Sequence, residues 1–221
     1  MSGHSDVLRR FEGAAPDILS HILDFQAGCN ARAYVNGDLA AANGHLWLLM
    51  QPRTAMYFTK AAMDEASANG HLECVIWLHQ HRREGCSTDA MDRAATNGHL
   101  HVVRWLHHHR WEGCTSKAFD GAAQNGHLAC LQFLHDNRWE GCSTLALDFA
   151  AHNGHAGIVR WLVENRGEGC TPAALEAARA LGHGDIAEYL IQHAHHVHGW
   201  YGANGTGGGA AAAAGQVVLG A

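Results

Sequence analysis

Proline, charge and long apolar runs are all scarce in this chain, and each shortage excludes a class of protein. Only 3 of the 221 residues are proline and 16% are charged. Collagen-like chains and proline-rich linkers are excluded, since both need abundant proline. No apolar run approaches the roughly 20 residues that a membrane-spanning helix requires. Hydrophobic residues nonetheless make up 47%, which is enough to bury a core.

Acidic residues outnumber basic ones, and this balance limits the possible partners. The chain has 15 Lys and Arg against 21 Asp and Glu, a formal net charge of −6. Because a nucleic-acid binder needs a basic surface, we expect no nucleic-acid partner, and we expect no membrane partner. Residues 1–13 are polar where a secretory signal would be apolar. This pattern predicts a cytoplasmic or nuclear protein that is not secreted.

Histidine is abundant, with 20 residues, and much of it belongs to an internal repeat. The tripeptide Asn-Gly-His recurs every 28 residues, beginning at Asn69, Asn97, Asn125 and Asn153. Glu-Gly-Cys keeps the same interval and ends at Cys86, Cys114, Cys142 and Cys170. A fixed period of this length indicates a helical or mixed repeat array. We place the array at 29–196, with about six repeats.

Each repeat has the pattern of two short helices. The hydroxyl of an N-cap residue can start the first helix, at Ser87, Thr115, Ser143 and Thr171. Glycine takes the left-handed conformation that ends it, at Gly70, Gly98, Gly126 and Gly154. The second helix then begins at the following histidine, which we expect to bond a neighbouring loop. One repeat cannot offset its own chain entropy, so stability is expected to come from packing between repeats.

Two aligned columns on the second helix are predicted to form a continuous core. The first column is aromatic, with Trp77, Trp105, Phe133, Trp161 and Tyr189. The second column is leucine at each following position, from Leu78 to Leu190. These columns predict an all-α helix-turn-helix solenoid.

The pattern Thr-x-x-Ala-x-x-x-Ala-Ala-x-Asn-Gly-His-x-x-x-Val-x-x-Leu resembles the ankyrin repeat, over about three-quarters of the chain. The family's repeat has about 33 residues, so about five are missing where its β-hairpin projects. The resemblance therefore implies short loops and little or no strand. The family's histidine in Thr-Pro-Leu-His is replaced by acids, whose carboxylates are expected to accept backbone N–H groups: Asp64, Asp92, Asp120, Asp148 and Glu176.

A stripe on the first helix varies between repeats while the rest recurs, and this pattern is typical of a binding surface. The stripe holds Asp89, Arg93 and Thr96, then Lys117, Gly121 and Gln124, then Leu145, Phe149 and His152. Drift on a solvated face is the alternative interpretation. Trp111 and Trp139 stand in the loops, either as anchors for a partner or as lids over the seam between repeats.

Charged pairs recur in the same loops, where an arginine stands two residues before a glutamate. They are Arg82–Glu84, Arg110–Glu112, Arg138–Glu140 and Arg166–Glu168. We interpret these pairs as links between repeats, with a charge row that faces a ligand as the alternative.

Residues with the spacing of an enzyme or a metal site are missing from the pattern. No nucleophile stands beside a base and an orienting group, so we predict that the chain is not an enzyme and needs no cofactor or metal. Equivalent cysteines of successive repeats lie about 8–10 Å apart, which is too far for a disulfide. A dense tract at His193, His195, His196 and His198 leaves a metal-dependent or redox protein as one alternative.

The two ends differ from the array. Residues 1–28 are predicted to form a helix that caps the first repeat, although Pro16 to Phe25 is similar to the first helix of an F-box. Residues 197–221 are mostly Gly and Ala and are predicted to be disordered. The leading prediction is a protein-interaction scaffold that binds a partner protein of unknown identity along the first-helix stripe. The alternative is an F-box-type substrate receptor of a ubiquitin ligase, in which residues 14–27 dock the adaptor.

Overall fold

The structure is a computed structural model, and it describes residues 35–51 and 56–193. The predicted N-terminal helix in 1–28, with its F-box-like stretch, lies outside these ranges, as do the predicted disordered tail and His195, His196 and His198. The F-box alternative and the cytoplasmic or nuclear location stay predictions. The described residues fall into two compact blocks, the first ending at Gly141 and the second beginning at Cys142.

Helices occur in pairs along both blocks. The first block holds α1 (Gly37–Ala42), α2 (Leu46–Leu49), α3 (Lys60–Ala68), α4 (Leu72–His81), α5 (Asp89–Thr96), α6 (Leu100–His109), α7 (Ser116–Gln124) and α8 (Leu128–Asn137). The second block holds α9 (Thr144–His152), α10 (Ala156–Asn165), α11 (Pro172–Ala180) and α12 (Gly184–Gln192). First helices pack on first helices, as α5 does on α3 and α7. The predicted all-α fold of stacked helix pairs is confirmed.

Local chemistry sets where the helices begin and end. The hydroxyl of Thr115 accepts a hydrogen bond from the N–H of Lys117 at 3.2 Å and so caps α7. Ser87 accepts from Asp89 in the same way, although α5 begins one residue later than predicted. Gly98 ends the turn after α5 with φ of 78°. The predicted cap at Thr115 and stop at Gly98 are confirmed, whereas the N-cap of α5 is Thr88 rather than the predicted Ser87.

One short parallel strand pair lies before the regular repeats. β1 (Val35–Asn36) pairs with β2 (Met56–Tyr57), in the register Val35 to Met56 and Asn36 to Tyr57. Among the described residues, the loops between the 28-residue repeats contain no strand. This agrees with the expectation of short loops and little strand.

The core is built from the leucine column and the small residues of the first helices. Leu78, Leu106 and Leu134 are buried in the first block, and Leu162 and Leu190 are buried in the second. Alanines of the first helices, such as Ala94 and Ala95, are buried beside them. Their small volume allows adjacent first helices to approach closely.

The aromatic column does not lie in the core, so this part of the prediction was wrong. Its members are half-buried: Trp77, Trp105, Phe133, Trp161 and Tyr189. Successive helical residues are about 100° apart around the axis, so the position before each buried leucine falls at the edge of the seam. A histidine of the preceding repeat covers two of these rings edge-on, with centroids 5.2 Å apart for His79 and Trp105 and 5.5 Å apart for His107 and Phe133.

Candidate partner-binding surface

An acid on each first helix positions the start of the next first helix. Asp64 accepts the backbone N–H and the hydroxyl of Ser87, both at 2.8 Å. In the second block, Asp148 makes the same two bonds with Thr171 at 2.8 Å. The expectation that the acids accept backbone N–H groups is confirmed for Asp64 and Asp148, and their partners belong to the following repeat.

The asparagine of Asn-Gly-His also bonds the preceding repeat. The side-chain amide of Asn97 donates to the carbonyl of Ala68 at 2.7 Å, and that of Asn125 donates to Thr96 at 2.8 Å. Sequence reasoning missed this contact because it treated Asn-Gly only as a helix stop. The fixed interval between the asparagines was the signal that could have indicated it.

The histidine of the same motif packs on the preceding repeat. A Cβ atom at Gly98 would lie 2.5 Å from Nδ1 of His127, so the glycine leaves room for the imidazole ring. In the second block, Nε2 of His183 lies 3.1 Å from the carbonyl oxygen of His152. A bond to the preceding repeat is therefore present at His183, in the degenerate copy Leu181-Gly182-His183, but its acceptor is the last residue of α9 rather than a loop residue.

The arginine and glutamate of each loop pair with each other and also contact the preceding loop. Arg110 bonds Glu112 within its own loop. Both side chains also pack on the preceding loop, where a Cβ atom at Gly85 would lie 2.7 Å from Nη2 of Arg110 and 3.4 Å from Oε1 of Glu112. These two side chains are 12% and 19% exposed. The interpretation as links between repeats is supported here, whereas a charge row facing a ligand is not.

The variable stripe of the first block is largely exposed. Asp89, Lys117 and Gln124 are exposed on α5 and α7. Arg93 is exposed as well, but it donates from Nη2 to Oε2 of Glu65 at 2.8 Å and so bridges two first helices. The stripe therefore combines exposed side chains with one ion pair that joins two first helices.

The position of Thr96 is more enclosed than the rest of this stripe. Thr96 is half-buried, and its hydroxyl donates to the carbonyl of Asp92 at 2.8 Å. A Cβ atom at Gly121 would clash with that hydroxyl. Thr96 and Gly121 therefore form a close contact between α5 and α7, and they offer a partner less surface than Lys117 does.

The second block carries its own part of the stripe on α9. Leu145 is 46% exposed and His152 is exposed, whereas Phe149 is half-buried. This part is more apolar than the stripe of the first block. An exposed leucine beside a half-buried phenylalanine offers apolar surface to a partner.

The two loop tryptophans extend into solvent. Trp111 is 84% exposed and Trp139 is 85% exposed. The guanidinium carbon of the preceding arginine lies 5.0 Å from each ring centroid, Arg110 at Trp111 and Arg138 at Trp139. The alternative that they are lids over the seam is therefore wrong, because a lid would be buried.

The buried thiols of the described ranges are shielded rather than reactive. Burial raises the pKa of Cys86, Cys114 and Cys170 to about 12. No cysteine within 35–51 and 56–193 forms a disulfide. Over the same residues, no group of three or more His, Cys, Asp and Glu is arranged to hold a metal ion. None of the helices described is long and apolar enough to cross a membrane.

Comparison with known families identifies the repeats. The family model for ankyrin repeats in three copies matches residues 119–198, and that for ankyrin repeats in many copies matches 59–107 and 91–135. The chain belongs to the ankyrin repeat family. Ankyrin repeats generally mediate protein–protein interaction, and the family is typically a non-enzymatic scaffold.

A solved structure supports the ankyrin fold. The crystal structure of the human ASB11 ankyrin repeat domain is similar, with a TM-score of 0.57 and 18% identity. The match covers 72% of this chain and 83% of that one. At 18% identity this structural similarity shows a shared fold and nothing about function. No curated protein matches the sequence.

Proposed function

We propose that this ankyrin repeat protein is a scaffold that binds a partner protein along the first-helix stripe of its first block. The observation that supports it is a division between two sets of residues. Recurring residues such as Asp92 and Asn97 are used in contacts between repeats, whereas Asp89 and Lys117 are exposed. We expect substitutions at these two exposed positions to leave the stacking intact, so that this part of the stripe can vary to suit a partner.

The chemistry of the stripe indicates a partner with a mixed polar surface. Asp89 and Lys117 have opposite charge, and Gln124 offers an amide that can both donate and accept hydrogen bonds. Exposed charges of this kind contribute more to specificity and association rate than to affinity. We therefore assign the stripe the role of selecting the partner.

The loop tryptophans are proposed as the anchors that supply affinity. Tryptophan and arginine are enriched among the residues that dominate binding energy, and both occur at Arg110–Trp111 and Arg138–Trp139. The tryptophans are 84% and 85% exposed, so a partner can bury most of each ring. In the second block, Leu145 and His152 are proposed as a further contact surface.

The proposal is tested by comparing two triple variants, each with three substitutions to alanine. Asp89→Ala, Lys117→Ala and Gln124→Ala remove the stripe together, whereas Glu73→Ala, Arg104→Ala and Gln132→Ala change three exposed residues on second helices. Partners are captured with the wild type, identified by mass spectrometry and measured by calorimetry. We expect the stripe variant to bind the partner more weakly than the wild type, and the control variant to bind it with the affinity of the wild type.

Two results would contradict this function. Equal affinity of the stripe variant and the wild type would show that the exposed first-helix residues do not contact the partner. A large fall in the melting temperature of the stripe variant would show that these residues stabilise the fold instead. The anchors are tested separately, since Trp111→Ala and Trp139→Ala should each weaken binding without lowering the melting temperature.

A further inference from the structure

His79, Arg110 and Trp111 form a contact chain from the seam between two repeats to the surface. Nη1 of Arg110 lies 3.4 Å from Nδ1 of His79, which belongs to the preceding repeat. The same guanidinium lies 5.0 Å from the ring centroid of Trp111, within the range of a cation–π interaction. One arginine therefore contacts both a titratable ring in the seam and an exposed tryptophan.

The contact between His79 and Arg110 requires a neutral histidine. A guanidinium has only N–H donors, so Nδ1 of His79 is the acceptor and its ring proton lies on Nε2. Protonation of Nδ1 would remove this hydrogen bond and place two cations 3.4 Å apart. Like charges at this distance repel, and partial burial weakens the screening by water.

The other charged groups around His79 do not cancel this repulsion. His109 faces it with ring centroids 6.3 Å apart and becomes a further cation when protonated. Glu112 is the only acid that acts on His79 among the described residues, and it is already paired with Arg110. Burial, followed by the charge of Arg110, lowers the pKa of His79. The charges and the geometry thus favour the same neutral state.

Arg110 cannot leave its position without breaking other contacts. Its guanidinium bonds Glu112 in its own loop. A Cβ atom at Gly85 would lie 2.7 Å from Nη2 of Arg110, so the guanidinium packs directly on that loop. Protonation of His79 would therefore strain a contact of Arg110, which belongs to the loop that carries Trp111.

The next repeat carries the equivalent residues, but no hydrogen bond joins Nδ1 of its histidine to the arginine. His107, Arg138 and Trp139 stand 28 residues further along, and Arg138 lies 5.0 Å from the Trp139 centroid. Nδ1 of His107 is buried without a hydrogen-bond partner among the described residues. The charged groups that act on this ring are His108, Arg138 and Glu140, and Arg138 is paired with Glu140.

We propose that His79 and His107 are two acid-sensitive switches: protonation of His79 moves Trp111 through Arg110, and protonation of His107 moves Trp139 through Arg138. The switches regulate the surface that Trp111 and Trp139 anchor. Their purpose rests on the proposed function, in which a partner binds to that surface. Their geometry exists whether or not a partner binds there. An experiment without a partner therefore separates failure of the switches from failure of the proposed function.

The test follows each tryptophan and its histidine by NMR in the same full chain between pH 8 and pH 5. Tryptophans are labelled with 5-fluorotryptophan, and Trp111→Phe and Trp139→Phe assign the two ¹⁹F signals. Long-range ¹H–¹⁵N spectra give the tautomer and titration midpoint of His79. We expect the proton on Nε2, a midpoint below the ordinary 6.5, and a Trp111 signal that shifts with the same midpoint.

Two variants serve as controls for each other. Asparagine keeps a neutral oxygen near the position of Nδ1, so His79→Asn retains an acceptor but does not titrate. We expect this variant to lose the acid response of Trp111 and to keep that of Trp139, and His107→Asn to do the reverse. A Trp111 signal that stays constant while His79 titrates would overturn the proposal. A proton on Nδ1 of His79 in the wild-type protein would also overturn the proposal, and this result does not depend on whether the variants fold.

Discussion

Thr115 donates two hydrogen bonds to Asp92 of the preceding repeat, from its backbone N–H to Oδ1 and from its hydroxyl to Oδ2, both at 2.7 Å. The same hydroxyl accepts the N–H of Lys117 and caps α7. Asp92 is only 3% exposed, so the carboxylate and its donors are shielded from water. The acid of one repeat thus orients the first turn of the next first helix.

Replacing Asp92 separates the hydrogen bonds from the charge. We expect Asp92→Ala to lower the free energy of unfolding by about 2–4 kcal/mol, because it leaves two donors of Thr115 without an acceptor. Asp92→Asn keeps one acceptor oxygen and should cost less than about 1 kcal/mol. Urea denaturation monitored by circular dichroism measures both values. Equal losses for the two variants would show that the hydrogen bonds are not the stabilising feature.

Features set by local chemistry could be predicted from the sequence. The hydroxyl of Thr115 and the glycine at position 98 each specify a helix end through their own backbone geometry. The acceptor role of Asp92 was predicted as well, because a carboxylate in a helical turn seeks N–H donors. Its partner was not predicted, since no local pattern places a residue 23 positions away at that carboxylate.

Burial of adjacent columns could not be predicted from apolar character alone. Trp105 and Leu106 are both apolar, yet only the leucine is buried in the core. About 100° of helix rotation separates them, so one faces inward and the other meets His79 at the edge of the seam. Exposure of Asp89 and Lys117 followed from helical spacing, whereas partner binding there stays a prediction because any solvated face is exposed.

A side chain at Gly98 is expected to be more costly than one at Gly182. Both have positive φ, 78° and 81°, so each alanine variant bears left-handed strain of about 1–2 kcal/mol. Only at Gly98 would the new Cβ atom meet a neighbour, the ring of His127 at 2.5 Å. Gly98→Ala should therefore lose roughly 1–3 kcal/mol more than Gly182→Ala.

Thermal unfolding of the two glycine variants, followed by circular dichroism, gives this difference directly. Gly182 is the matched control because a Cβ atom placed there would have no neighbour within 4 Å, whereas its backbone conformation is nearly the same. Similar melting temperatures for the two variants would mean that His127 moves aside at little cost.

The ion pair of Arg93 and Glu65 is expected to add little stability. Its side chains are 45% and 37% exposed, and surface pairs of this kind contribute about 0–1 kcal/mol. A double-mutant cycle with Arg93→Ala and Glu65→Ala should therefore give a coupling below about 1 kcal/mol, reduced further by about 0.5 M salt. A larger coupling that salt does not change would indicate a buried pair.

Thiol labelling is expected to report on opening of the seam between repeats. Burial raises the pKa of Cys86 and Cys114 to about 12, so almost no thiolate exists at pH 8. Iodoacetamide should label these cysteines at least tenfold more slowly in the native chain than in urea, because the thiolate is the nucleophile. Peptide mass spectrometry gives the rate at each site, and equal native and denatured rates would contradict the burial.

Four histidines of the first block are held in surroundings that disfavour their charged form. Burial, as the largest cause, lowers the pKa of His45, His79, His99 and His107. Two carboxylates respond in the opposite direction, since burial raises the pKa of Asp64 and Asp92 above the ordinary 3.8. The histidines therefore determine how stability changes just below neutral pH, and the carboxylates determine how it changes in more acidic solution.

Stability is expected to fall as the pH drops from 7 to 5. The folded pKa of each histidine lies below the unfolded value of 6.5, so the unfolded chain binds protons first and gains stability relative to the folded one. The contribution of the neutral histidines to the free energy of unfolding is complete above pH 6.5. It is lost as the pH falls through 6.5 toward the folded pKa. Each unit of lowering is worth about 1.4 kcal/mol. Urea denaturation at pH 8, 7, 6 and 5 measures the change, and constant stability across this series would show that the folded histidines titrate as they do in the unfolded chain.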